Sequence, residues 1–198
     1  MAAETPQENP RSYDVYFRAD GGWFSLRLAD HGITLSDARI DWISDERPDA
    51  ARLDSIVAVH LQTSGTWQDP IAICKITLRD GLDLLVIGGN SLGTGDAGQA
   101  SLYRAFVHDL HGRLAATNST ASFTAGYTET RYRAAFACGI LLAAMFLGIP
   151  LVVLFIKPEA QLVLLFMSGA IFLWPLWLML QKNAPRRYTL AQLPNELL

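Results

Sequence analysis

Histidine and cysteine are scarce in this chain: four of the first and two of the second among 198 residues. Two cysteines, Cys74 and Cys138, cannot make a disulfide framework and have no metal-ligand spacing. Cys74 falls in a stretch patterned as a strand and Cys138 in an apolar one, so both read as small buried hydrophobes in a reducing compartment. Also missing are G-x-S-x-G, H-E-x-x-H and a phosphate-loop Lys-Ser/Thr, and no Cys/His pair suggests an activated nucleophile. No catalytic residue, cofactor or metal is therefore expected. The N-terminal stretch MAAETPQENPRSYD has no basic segment followed by an apolar one, so a cleaved signal peptide is not expected. Residues 1–12 read as disordered.

Charge is absent from two long stretches. Neither 134–156 (AAFACGILLAAMFLGIPLVVLFI) nor 162–180 (LVLLFMSGAIFLWPLWLML) contains an Asp, Glu, Lys, Arg or His. A helix over 134–156 would be about 34 Å long, enough for a hydrocarbon core of roughly 30 Å. Helices apolar on every side cannot be hidden in a domain of this size, so a transmembrane hairpin over 131–182 is expected. Intramembrane charges mark ion and proton paths, and their absence argues against a pump or transporter built from this chain alone.

The basic residues lie at the hairpin's flanks. Arg131 and Arg133 precede the first span, Lys182, Arg186 and Arg187 follow the second, and the turn offers only Lys157 beside Glu159. Basic flanks favour the cytoplasmic side, which places both termini in the cytoplasm and the turn outside. Trp174, Trp177 and Tyr188 fit interfacial anchoring at the inner end. The sequon at Asn118 then lies on the wrong side for glycosylation. Small residues spaced by four, Gly139 with Ala143 and Ala144 with Gly148, are candidates for close helix packing.

The first 130 residues are different: 10 Lys+Arg stand against 17 Asp+Glu, while the remainder has 6 against 2. Such asymmetry points to two physical environments. Alternating apolar residues predict short strands at 13–17, 23–29, 33–36 and 39–43, then an acidic loop over 45–54, then strands in SIVAVHLQTS, IAICKITLR and LDLLVIGG. Asp80–Gly81 signals a hairpin between the last two. One helix follows, with Leu102, Phe106, Leu110 and Leu114 on a stripe beside Tyr103 and Val107. The Ser/Thr-rich segment 117–130 reads as a flexible linker and 183–198 as a cytoplasmic tail.

Between the last strand and this helix lies G-x-G-x-x-G at Gly93, Gly95 and Gly98, the outline of a dinucleotide-binding turn. Such a unit needs a further parallel strand, and none is expected before the membrane. Asp96 would repel a pyrophosphate. The loop reads as a corner.

Four stretches, FSLRLADHGITL, RLDSIVAVHL, CKITLRDGLDLLVI and LYRAFVHDLHGRL, together resemble bacterial membrane-anchored pleckstrin-homology-like proteins over roughly 13–116. The tail APRRYTLAQLPNELL is similar to endings of small bacterial inner-membrane proteins. The resemblance implies an α+β fold: an antiparallel β-sandwich or barrel of about seven strands, closed by the amphipathic helix and followed by the hairpin. It implies an interaction or scaffold module more than a reaction. Headgroup binding in that family uses a basic cluster at the first hairpin loop, where this chain has Asp30 and His31, with Arg18, Arg27 and Arg39 as the nearest cations.

His108 and His111 are spaced to share a metal, yet with Asp109 between them they read as a solvated helix face. His60 stands alone. The acidic loop reads as solvated, with docking of a basic partner as the sharper option. The expected function is a non-enzymatic inner-membrane protein whose partners are the bilayer and another protein or itself, without nucleic acid. The alternative is a nucleotide- or lipid-headgroup-binding domain, as an accessory or regulatory subunit of a membrane complex.

Overall fold

A computed structural model of the chain describes residues 9–19, 30–44, 47–65, 70–90, 94–117, 119–157, 160–190, 192–194 and 197. The chain divides into two compact units: one holds everything up to Ala125 together with the part from Arg187 onward, the other is Gly126–Arg186.

The first unit is an α+β domain. Its strands are β1 (Arg11–Ala19), β2 (Asp30–Leu35), β3 (Arg39–Ser44), β4 (Arg47–Arg52), β5 (Ile56–Gly65), β6 (Pro70–Leu78), β7 (Asp83–Ile87), β8 (Ser122–Ala125) and β9 (Arg186–Arg187). Helix α1 (Ala97–Ala116) lies between β7 and β8. The order across the sheet is β4-β3-β2-β1-β7-β6-β5-β8-β9. Two antiparallel meanders, β1 to β4 and β5 to β7, thus join through the β1–β7 pair. Side chains alternate as the period of two demands: Tyr13, Val15 and Phe17 point into the core, and so do Ile40 and Trp42. Helix α1 covers this face against β1 and β6, where Tyr13 meets Phe106 edge to face at 5.7 Å.

The sheet is open, which overturns the expected sandwich or barrel of about seven strands. Its two edges are β4 and β9, and they do not pair. Closure removes sheet edges; here the edges are blunted instead. Pro48 has no N–H to offer, Arg47, Asp49 and Arg52 charge the same strand, and β9 is only Arg186–Arg187. The acidic loop expected over 45–54 is largely strand β4 followed by a 3-10 turn, Leu53–Ser55. Its Asp49 and Asp54 alternate with arginines along an exposed edge, a composition that mimics a loop. The expected strand over 23–29 lies outside the described residues.

The flexible linker expected over 117–130 is also replaced by structure. Strand β8 occupies its middle and pairs in parallel with β5, Val59 opposite Phe123 and Leu61 opposite Ala125. Four residues are too few to announce a strand by periodicity.

The second unit holds two helices long and apolar enough to cross a membrane, Glu129–Ile156 and Val163–Lys182. Only 6% and 11% of their most apolar windows are buried, so they are not core helices of a folded domain. The first comprises α2 (Glu129–Ala143), a π turn (Ala144–Gly148) and α3 (Ile149–Ile156); the second is α4 (Ala160–Lys182). The π turn has a cause. Pro150 cannot donate to the carbonyl of Phe146, and the helix widens just before it, with the N–H of Ile149 bonded to Ala144.

Candidate functional site

In the first unit, the chain beyond the hairpin returns to complete the domain. After β9 the N–H of Tyr188 bonds the Phe123 carbonyl at 3.2 Å, while Leu190, Leu193 and Leu197 pack on the core. The segment 183–198, expected as a cytoplasmic tail, thus contributes its part from Arg187 onward to the domain. Its polar anchor is His111. Nδ1 lies 2.7 Å from the Val107 carbonyl, which can only accept, so Nδ1 carries the proton. Nε2 is then an acceptor for the Tyr188 hydroxyl at 2.8 Å. Phe123 of β8 completes the cluster, 5.6 Å from His111 and 5.7 Å from Tyr188 between ring centroids.

His111 is 2% exposed, which corrects its expected place on the solvent side; His108 is exposed as expected. The geometric reason lies in the helix period. Four residues turn 400°, so the series 102, 106, 110, 114 precesses by about 40° each step and leaves the core face. The buried stripe is Tyr103, Phe106, Val107, Leu110, His111 and Leu114, and Leu102 is 37% exposed. Burial lowers the His111 pKa from its ordinary value, with His108 adding to that, against the bond to Val107. Burial likewise raises Tyr188, and pushes the Cys74 thiol up to about 12, leaving it inert.

A second polar cluster clamps α1 to the start of the sheet. Arg113 pairs with Asp109 at 3.1 Å and with Asp37, and donates to the Asn9 carbonyl at 3.0 Å. Tyr13 donates to Asp109 at 2.8 Å, and its pKa is raised by burial first and by that carboxylate second. Among the described residues no three His, Cys, Asp or Glu side chains gather to hold a metal. His60 instead meets the Thr124 hydroxyl at 2.9 Å.

The outer face of β1 to β4 carries an open groove of about 500 Å³, lined by Ser12, Thr34, Asp41, Ile43, Pro48 and Asp49. Ile43 is 58% exposed there, and Ser12 bonds Thr34 at 2.8 Å. Arg39 is held by Asp41 at 3.1 Å, so this cation is paired on the sheet.

At the glycine-rich corner, Gly95 bridges to Gly89, and the side chain of Asp96 accepts from the Gln99 N–H. An acid caps the helix where a pyrophosphate would sit. Gly93 lies outside the described residues. A strand does follow the helix, contrary to expectation, but β8 is separated from β7 by β6 and β5.

In the second unit, Gly139 and Ala143 line a groove of about 180 Å³ between α2 and α4, together with Phe136, Leu173, Trp177 and Leu180. Ala144 is exposed, and a side chain at Gly148 would meet nothing within 4 Å. Between the two spans, the closest approach at a glycine falls on a residue the spacing did not single out. A Cβ on Gly169 would stand 2.9 Å from both the Cβ and the carbonyl oxygen of Phe146. That carbonyl is the one Pro150 leaves without its helical donor, so the bare α-carbon of Gly169 seats against it. Only a pattern linking a proline in one helix to a glycine in the other could have found this pair. At the base, Tyr127 N–H bonds the Asn183 carbonyl at 2.9 Å. Arg131 lies over the Tyr127 ring at 5.1 Å, Arg133 pairs with Glu129 at 3.0 Å, Lys182 ends α4, and Arg186 and Arg187 are exposed.

No family model matches the chain, and no curated protein matches its sequence.

Proposed function

We propose that this chain is a non-enzymatic interaction module of the bacterial inner membrane, with both termini in the cytoplasm and the hairpin turn outside. The observation that supports it most is the position of the hairpin in the chain. The spans are inserted between β8 and β9, not appended, so residues from both sides of them build one domain. A simple anchor needs a single attachment. Two attachments, through 126–128 and 183–185, join the domain to the spans at both ends of the insertion, which suits a module that binds a membrane-associated protein. The groove with exposed Ile43 is the docking face, since the charged, proline-bearing β4 edge is ill suited to strand addition.

Reporter fusions before residue 1, at 160 and after 198 test the orientation; an external signal at either terminus rejects it. A photocrosslinking side chain at Ile43, compared with one at exposed Ala116, tests the docking face in living cells. A discrete protein adduct at Ile43 alone is expected. Equal adducts at both positions, or none, reject the face. A nucleotide that stabilised the chain by the ~2.7 kcal/mol expected at 100 times its dissociation constant would overturn the reading.

A further inference from the structure

We propose that the groove between α2 and α4 is a binding site for one anionic phospholipid, an acyl chain lying in the groove and the phosphate at Arg131 and Lys182. The inference requires only that the hairpin spans a bilayer.

The groove's body is wholly apolar, lined by Phe136, Gly139, Ala143, Leu173, Trp177 and Leu180 among others. It runs along the first span from Phe136 to Leu147. That is about 16 Å of helix, half of a hydrocarbon core of roughly 30 Å and so the depth of a single leaflet. One acyl chain matches it.

Its end is cationic. Tyr127 meets Asn183, Phe136 meets Trp177 at 6.5 Å, and Phe146 meets Gly169, so the two helices run antiparallel in a fixed register. This register puts Arg131 and Lys182 at one level, beyond the Phe136 and Leu180 end of the groove. Near that level lie Arg131, Lys182 and also Arg133, which is bound to Glu129. Arg131 occupies the first turn of α2, where the helix dipole opposes a cation and favours an anion beside it. Its guanidinium is held by the Tyr127 ring, which leaves its donors for a phosphate. An apolar trough one leaflet deep with a cationic mouth is complementary to an amphiphile with one anionic end.

Trp177 lines the groove, whereas Trp174 is 65% exposed on the outside of the same helix, so the two report different environments. The full chain, as Trp174→Phe to leave Trp177 or Trp177→Phe to leave Trp174 as the tryptophan of the spans, is reconstituted in vesicles of phosphatidylcholine and phosphatidylglycerol, and emission of the double variant, which keeps Trp23, Trp42 and Trp67, is subtracted. Bromine is placed on the acyl chains of one lipid or the other. Expected is preferential quenching of Trp177 by brominated phosphatidylglycerol, with a relative affinity of roughly fivefold per cation engaged. Trp174 should show no preference. Arg131→Gln with Lys182→Gln should abolish the preference while leaving quenching by both lipids, and Ala143→Leu should abolish it by filling the trough. Equal quenching of Trp177 by both lipids overturns the site, as does a preference that survives the double substitution. Absence of quenching at both tryptophans overturns the site too, and separately shows that the hairpin does not span the bilayer.

Discussion

The Nε2 of His111 in the middle of α1 accepts from the Tyr188 hydroxyl at 2.8 Å, across 77 residues of sequence that include both membrane spans. This bond, with the Phe123 ring beside it, fastens the end of the chain to a domain whose first strand begins at Arg11.

The fastening should depend on pH. Burial lowers the His111 pKa, so the domain binds fewer protons with the segment docked than with it released. Stability therefore rises with pH up to the ordinary imidazole value of about 6.5, and falls as pH drops below it. Protonation also removes the Nε2 lone pair that Tyr188 uses. The facing groups do not reverse this sign: burial holds the Tyr188 hydroxyl neutral, and the charge effect of His108 lowers the His111 pKa further. Exchange of the Tyr188 and Gln192 amides in the full chain, corrected for intrinsic rates, should show protection at about pH 7.5 weakening by about pH 5.5, on either side of the imidazole value. His111→Gln should flatten that dependence. An unchanged profile in the variant would contradict the assignment.

Tyr188→Phe keeps the ring and removes only the donor. It leaves a buried nitrogen without a partner, at a cost of about 1–3 kcal/mol. The loss should appear in the same amides, and a cycle with His111→Gln should show strong coupling because the two groups share one bond.

Ion pairs here differ in worth by their surroundings. The Arg113 side chain is 10% exposed and bridges Asp109, itself 17% exposed, to Asp37. Arg113→Met should cost about 2–3 kcal/mol, because a largely desolvated carboxylate loses its counter-charge. Arg52 pairs with Asp54 at 2.8 Å in full solvent, where water screens the pair, and Arg52→Gln should leave the unfolding midpoint unchanged. Denaturant unfolding of the two variants tests the contrast; equal losses would refute it.

Two glycines should resist substitution. Gly126 has φ of +89°, and a Cβ there would also strike the Asn183 and Ala184 carbonyls, so Gly126→Ala should cost more than about 1 kcal/mol. Gly169→Leu should force α4 away from Phe146. Disulfide crosslinking between cysteines placed at 146 and 170 should be slowed in that background, while Gly148→Leu, with open space around it, should leave the rate unchanged.

The second unit was largely legible because a bilayer imposes one crude rule: long uncharged helices. That rule was enough for the two long apolar helices, Glu129–Ile156 and Val163–Lys182. It said nothing of Gly169, whose role depends on a carbonyl released by Pro150 in another helix. Among strands, those that alternate over five or more residues, such as β1, β6 and β7, were readable. Strand β4 hid behind its own charges, because an exposed edge tolerates the residues of a loop.

Periodicity and charge, read along the chain, determined that there are strands ending in a helix and then two helices long and apolar enough to cross a membrane. Local chemistry suffices for that, since each element buries or exposes its own face. The tertiary structure decided that the sheet stays open, that β8 and β9 extend it from either side of the hairpin, and that His111 is a core residue. Those outcomes rest on contacts between residues far apart in sequence, and neither four residues at β8 nor two at β9 carry a pattern that could announce them.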